Sequence, residues 1–427
     1  MSILQFEPER DFETIPYQPV NIGEPVQLRF QIKNPTGKIL HGEVRVVDDS
    51  EPAGVLWSCN NIEFPPQGFF FHKISVNFTE GRHLLKMQWK TAEEFCFEEA
   101  EIELAVSGRH EPLLSGAFVV LQDYEKEQMT GERWAQLADS ANAIGIKMLV
   151  IFTTLSKVNG DSEQVHAFYP SKLYPKCDKT VGAIDAIMNA AEKNGQEVMI
   201  GLAGPLDRTP ENVRVIMKEI YELYGHYKSF YGWYSSCEVN LAGPDDEKNW
   251  EDWLRVRESA DAISPVRPVM TSPYLNNRHN TVELDPAFLE KLRTGCARFD
   301  ILMPQDMVGH VLTGRNAGRL TPAESGRMFA LLKPVCDEGG VCLWANCEAF
   351  DFNPSETDLV PRYVNGGLYG ELGYFQQLKE AAPHVQKVLT YKFTMMFSAP
   401  GQQPCLCGTA AVEQYENYRK YRDEFKK

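Results

Sequence analysis

The sequence predicts an N-terminal all-β sandwich of the immunoglobulin type over residues 1–108, followed by a (β/α)8 TIM barrel with a C-terminal helix over residues 109–427. Three observations predict it. The first hundred residues alternate apolar and polar side chains with a period of two, and no helical period interrupts them. From Gly116 onward, short apolar runs alternate with amphipathic segments. Eight such alternations fill Gly116–Ser398, close to the roughly 250 residues of a typical closed barrel.

In the first region Val26, Leu28, Phe30 and Ile32 interleave with Gln27, Arg29, Gln31 and Lys33. Leu85, Met87 and Trp89 repeat the pattern, as do Ile102, Leu104 and Val106, and each run reads as a half-buried strand. Turn chemistry at Asn34-Pro35-Thr36-Gly37 and Pro65-Pro66-Gln67-Gly68 separates the runs. The run Phe69-Phe70-Phe71 reads as packing, and the domain boundary is expected at Ser107–Pro112.

In the second region, strand Gly116–Leu121 precedes a helix with Trp134, Leu137, Ala138, Ala141 and Ile144 on one face. Strand Lys147–Phe152 precedes a helix stopped at Asn194-Gly195, and strand Val198–Leu202 precedes a helix opened by Thr209-Pro210. Strand Phe230–Tyr234 leads to a helix around Trp250–Ile263, and strand Pro268–Ser272 to one opened by Asp285-Pro286. Strand Asp300–Pro304 precedes the capping box Thr321-Pro322-Ala323-Glu324, strand Val341–Ala345 precedes a helix near Gly370–Ala382, and Val388–Phe397 is the last strand. Ala411–Lys427 reads as a terminal packing helix. An open doubly wound sheet is the alternative, but Leu121-Gln122-Asp123-Tyr124 after the first strand is not the glycine-rich phosphate turn that such a sheet carries.

Composition narrows the function classes. The chain holds 43 Lys and Arg against 59 Asp and Glu, a formal charge of −16, the wrong sign for nucleic acid or an anionic membrane surface. Its apolar stretches are far shorter than the roughly 20 residues of a membrane-spanning helix. Without a basic-then-apolar leader, and with ten scattered cysteines, the sequence reads as cytoplasmic with reduced thiols. The nine histidines take no metal spacing, so neither metal nor cofactor is expected, and self-association is compatible with the sequence without being required.

A TIM barrel builds its active site at the C-terminal ends of its strands. Here those ends carry Asp123, Trp233, Tyr234, Glu238, Tyr274, Gln305, Asp306, Trp344, Asn346 and Glu348. Glycoside hydrolysis needs two carboxyl groups around one bond, and Glu238 and Glu348, after the fourth and seventh strands, are the candidate pair. Trp233, Tyr234, Tyr274 and Trp344 offer flat faces to sugar rings; Asn346, Gln305, Asp306 and Asp123 offer polar groups to hydroxyls. Each has a plainer reading: Trp233 and Trp344 as packing, Asp123 as a turn former. The expected partner is an oligosaccharide or glycoside.

These residues carry a resemblance. Gly116–Leu121, Gly201-Leu202, Gly232-Trp233-Tyr234 with Glu238, Ser272-Pro273-Tyr274 and Pro304-Gln305-Asp306 with Gly309 resemble a bacterial domain-of-unknown-function family described as candidate glycoside hydrolases. The arrangement of glutamates is similar to that of the clan of retaining TIM-barrel glycosidases. By that resemblance Glu238 is the general acid/base and Glu348 the nucleophile. Two departures follow: Cys237 stands where the clan usually has Asn, and Gln305-Asp306 stands where many members place a Tyr that holds the nucleophile. Asp306 is therefore a third carboxylate and the candidate base of an inverting reaction. The rival readings are a catalytically inactive carbohydrate-binding barrel, and a lyase or isomerase, for which no metal set or strand-end lysine is visible.

Overall fold

The computed structural model describes residues 3–50, 54–108, 111–125, 127–158, 161–174, 182–202, 210–238, 240–241, 247–274, 284–294, 298–309, 320–352, 359–362 and 367–425. The chain divides into two compact units, Met1–His110 with Asp261–Arg267, and Glu111–Ala260 with Pro268–Lys427.

The first unit begins with a short helix α1 (Pro8–Asp11) and continues as eight strands: β1 (Phe12–Ile15), β2 (Val20–Asn21), β3 (Pro25–Asn34), β4 (Leu40–Asp48), β5 (Val55–Phe64), β6 (Gly68–Asn77), β7 (Gly81–Thr91) and β8 (Glu98–Ser107). They form a three-stranded sheet β1-β3-β6 and a five-stranded sheet β2-β8-β7-β4-β5, antiparallel except where β2 runs beside β8. Val26, Leu28, Phe30 and Ile32 meet Val44, Val46, Leu85, Met87 and Leu104 in one apolar core, so the alternation does what it predicts on this face. The other face of β3 corrects the reading of a half-buried strand. Arg29 and Gln31 are buried as well, because the segment Asp261–Arg267 belongs to this unit. Arg29 donates from Nε to Val266 O (2.8 Å) and from Nη2 to Pro265 O (2.9 Å), and Gln31 Oε1 accepts from Val266 N (3.2 Å). Buried polar groups are tolerated there because they are bonded.

The second unit is a closed barrel of eight parallel strands. In chain order its elements are β9 (Gly116–Val119), α2 (Gly131–Ala143), β10 (Met148–Ile151), the hairpin β11 (Leu155–Val158) and β12 (Asp161–Ala167), α3 (Ala183–Asn194), β13 (Glu197–Gly201), α4 (Pro210–Tyr224), β14 (Phe230–Ser235) and α5 (Glu247–Ile263). There follow β15 (Val269–Thr271), α6 (Pro286–Arg293), β16 (Ile301–Leu302), α7 (Pro322–Gly339), β17 (Cys342–Glu348), the small pair β18 (Phe350–Phe352) and β19 (Leu359–Pro361), α8 (Tyr374–Ala381), β20 (Lys387–Tyr391) and α9 (Gly408–Glu424). Around the barrel the order is β9-β10-β13-β14-β15-β16-β17-β20, closing back on β9.

The helix signals act as expected. Thr321 and Glu324 exchange both capping-box bonds, Asp285 accepts from Ala287 N (2.9 Å), and Gly195 ends α3 in the left-handed region at φ 62°. Thr209, read as part of a helix opening, lies outside the described residues. The terminal helix α9 packs as anticipated: Tyr418 OH accepts from Leu114 N (2.7 Å), and Tyr421 stacks on Phe375 at 4.1 Å.

Two further features of the barrel depart from the sequence reading. The last barrel strand stops at Tyr391 rather than running on to Phe397; the chain then turns, with Phe393 N donating to Phe118 O (2.8 Å) and Phe397 N to Phe393 O (2.9 Å). In β14 an extra residue enters the ladder, since Val198 pairs with Phe230 but Met199 pairs with Gly232. This bulge lets both Tyr231 and Tyr234, three residues apart, point into the barrel, where Tyr231 stacks on Trp344 (6.5 Å) and Tyr234 meets Phe118 (5.2 Å).

Candidate active site at the C-terminal end of the barrel

The residues after β14 are tied down on several sides. Ser236 Oγ donates to Leu202 O (2.8 Å), Trp253 Nε1 of α5 donates to Cys237 O (2.9 Å), and Leu241 N donates to Tyr274 O (2.8 Å) after β15. Glu238 stands between these anchors. Its side chain keeps exposed area, yet it lies in a recess where surrounding protein excludes enough water to raise its pKa above the ordinary carboxylate value. One bond opposes that rise: Gln305 Nε2 donates to Glu238 Oε1 at 2.9 Å and also to Ser272 O at 3.2 Å.

On the opposite side of the mouth, Glu348 ends β17 and is 2% exposed. Gly309 N donates to its Oε2 at 2.8 Å. Behind it, Asp306 Oδ1 accepts from Glu348 N (3.2 Å) and Val308 N (3.3 Å), while Asp306 Oδ2 accepts from Gln377 Nε2 (2.6 Å). Burial raises the pKa of Asp306, against these donors and the nearby Arg362. Asn346, two residues before Glu348 and so on the same face of β17, pairs with Gln305 across the ladder and donates from Nδ2 to Ser272 Oγ (3.0 Å); its buried Oδ1 has no hydrogen-bond partner among the described residues.

Between the two sides stands Tyr391, the last residue of β20. Burial raises its phenol pKa, and the carboxylates of Asp123, Glu238 and Glu348 each add to the rise, so all three lie within electrostatic reach of one ring. Tyr391 is half-buried and meets Phe118 (5.5 Å), Phe152 (5.6 Å) and Phe350 (6.1 Å), and with half-buried Phe152 it forms an aromatic floor. Next to it Lys392 Nζ donates to Asp123 Oδ1 at 2.6 Å in a pair almost wholly buried, and Asp123 Oδ2 has no hydrogen-bond partner among the described residues.

Of the ten residues singled out in the sequence, the fold gathers Asp123, Glu238, Tyr274, Gln305, Asn346 and Glu348 at strand ends around one mouth. Four are placed otherwise. Trp233 has no exposed surface and turns outward, edge-on to Phe230 at 5.1 Å, because the bulge in β14 sets its face. Trp344 is equally buried one layer down, against Tyr231, and Tyr234 is 1% exposed beneath the aromatic floor. Asp306 is fully buried behind Glu348, bonded to Glu348 N, Val308 N and Gln377 Nε2. Phe152, Tyr391, Lys392 and Gly309 were not identified as site residues. The first three stand at or just past strand ends, the signal that would have found them.

Residues 114–404 match the domain of unknown function DUF4434, more than half of the sequence, and the chain belongs to that family. No curated protein matches it. Among solved structures, one from Bacteroides thetaiotaomicron VPI-5482, described as a candidate α-L-fucosidase, is 20% identical with a TM-score of 0.55 over 73% of this chain and 93% of that one. A GH2 β-galacturonidase from Eisenbergiella tayi is 10% identical with a TM-score of 0.44 over 96% of this chain and 71% of that one. The first likeness speaks to fold alone.

Proposed function

We propose that this DUF4434 member hydrolyses an O-glycosidic bond in the mouth of its barrel, with Glu238 as general acid/base and Glu348 as nucleophile of a retaining, two-step displacement. The reading rests on one observation: Gln305, which donates to Glu238 Oε1 at 2.9 Å, pairs with Asn346 two residues before Glu348, so the glutamate after the fourth strand and the one that ends the seventh share a mouth.

The two environments differ in their access to water. Glu238 has a raised pKa and keeps access to water, as suits a group that gives a proton to the leaving oxygen and later takes one from water. Glu348 is buried and accepts a backbone N–H, which restricts its rotation. In the first step Glu348 attacks the anomeric carbon while Glu238 protonates the departing oxygen. In the second, water activated by Glu238 releases the sugar. Phe152 and Tyr391 offer the sugar an apolar face, and Asn346 Oδ1 and the Asp123–Lys392 pair offer polar groups to hydroxyls. Architecture shared with a structure described as a candidate α-L-fucosidase agrees with this reading.

Aryl glycosides and oligosaccharides test it, with the product anomer followed by NMR. Glu238→Gln and Glu348→Gln are each expected to lower kcat by at least about 100-fold with the thermal transition intact, and the first-formed product is expected to keep the substrate's anomeric configuration. Undiminished hydrolysis by both variants removes the assignment. An inverted product removes the nucleophile role of Glu348, and glycan binding without hydrolysis by the wild type selects the inactive alternative.

A further inference from the structure

We infer that the turn Asp306–Gly309 after β16 is the device that sets the carboxylate of Glu348, with Asp306 and the Gly309 amide as its positioning groups. This inference rests on the reading of Glu348 given above and assigns the holding role to a backbone amide and a buried carboxylate rather than to a hydroxyl side chain.

The geometry is closed on all sides. The Gly309 N–H reaches Glu348 Oε2 at 2.8 Å. A Cβ added at Gly309 would come within 2.3 Å of Phe350 O, 2.9 Å of Glu348 Cβ and 3.2 Å of Glu348 Oε2, so only glycine brings its amide this close. One oxygen of Asp306 accepts from both Val308 N and Glu348 N, joining the turn to the end of β17. Its other oxygen accepts from Gln377 Nε2, which also donates to Glu348 O at 3.2 Å. The backbone N–H and C=O of Glu348 are thus both held, and its side chain is met by the turn that the same Asp306 organises. Met307 within this turn has φ 56°, in the left-handed region, a conformation that persists for such a residue only where its surroundings over-determine it.

An ionised carboxyl is acceptor-only, so Asp306 can serve these three donors at once. An amide N–H at the Glu348 oxygen favours the charged, attacking form and fixes the side chain's rotation. Both effects belong to positioning: neither Asp306 nor Gly309 needs to touch substrate.

Three variants of the full chain test this, Gly309→Ala, Asp306→Ala and Asp306→Asn. A hydrogen bond to a charged group corresponds to about one to two pKa units, so Gly309→Ala should move the acidic limb of kcat/KM up by about one to two pH units and lower the plateau about 10- to 100-fold. Asp306→Ala loosens the same turn but also removes a buried negative charge beside Glu348, which acts on the limb in the opposite sense, so it is read by its plateau, expected to fall about 10- to 100-fold. Asp306→Asn removes the same charge but retains one acceptor oxygen, and Gln377 can turn its Oε1, unpartnered among the described residues, toward the new amide, so most of the rate should return. An unmoved limb in Gly309→Ala, an undiminished plateau in Asp306→Ala, or an Asn variant as impaired as the Ala one overturns the inference. Should Gly309→Ala fail to fold, the Asp306 pair decides.

A titration independent of turnover separates the two levels. The carboxyl carbon signal of Glu348 is identified by its loss in Glu348→Gln and followed with pH in 13C NMR. If Gly309→Ala raises its midpoint while the wild type hydrolyses no glycoside, the positioning role stands and the glycosidase reading falls. If hydrolysis requires Glu348 but the midpoint does not move, the positioning role falls alone.

Discussion

Replacing Gln305 by Met removes the one described bond that opposes the raised pKa of Glu238 while keeping a side chain of similar length. The sign follows from the donor. Gln305 Nε2–H stabilises the ionised carboxylate, so its loss raises the Glu238 pKa, the acid stays protonated to higher pH, and the alkaline limb of kcat/KM moves upward. A hydrogen bond to a charged group is worth about 1.5–3 kcal/mol, and one pKa unit is about 1.4 kcal/mol. Glu238 keeps exposed area, so water replaces part of the lost donor and screens the rest; the lower end applies, a shift of about one pH unit. The assay is a pH profile of kcat/KM on an aryl glycoside for wild type and variant, since that ratio reports the free enzyme. A limb that moves down, or a rate that falls with the limb unmoved, refutes the assignment of Glu238 as the acid.

Two further outcomes are expected. Lys392→Met strands Asp123 as a buried carboxylate without its cation, and should cost about 3–5 kcal/mol in urea unfolding. The double variant with Asp123→Leu should recover most of that loss, and equal instability in the single and double variants counts against the pair. Tyr391→Phe keeps the ring contacts with Phe118, Phe152 and Phe350, so stability should change by about 1 kcal/mol or less, while kcat/KM falls about tenfold if the hydroxyl acts in the mouth. Unchanged kinetics would reduce Tyr391 to a structural floor.

The architecture was legible because both periodicities are strong: period two in β3, β7 and β8, and apolar runs punctuated by caps such as Thr321–Glu324 in the barrel. Counting strands then put Glu238 just after the fourth barrel strand and Glu348 at the end of the seventh, where the fold has them. What failed was parity and endpoint. Trp233 and Tyr234 adjoin in sequence, and nothing in their residue types reveals the extra residue in β14 that turns one out and the other in. The apolar run Val388–Phe397 continues past the true end of β20, so Tyr391 and Lys392 read as strand interior rather than as rim. The hairpin β11–β12 had a local signal, Asn159-Gly160, which lies outside the described residues. The burial of Arg29 and Gln31 had none, since it depends on a segment more than 200 residues away.

The extra residue in β14 adds a ring to the upper barrel without changing the partners of the residues that follow it. Deleting Tyr231 would leave Gly232, Trp233 and Tyr234 opposite Met199, Ile200 and Gly201, the partners they already have, so the Trp233 indole would stay turned to the helices and only the ring that stacks on Trp344 would be lost. The lumen would be emptied by one phenol and otherwise keep its lining.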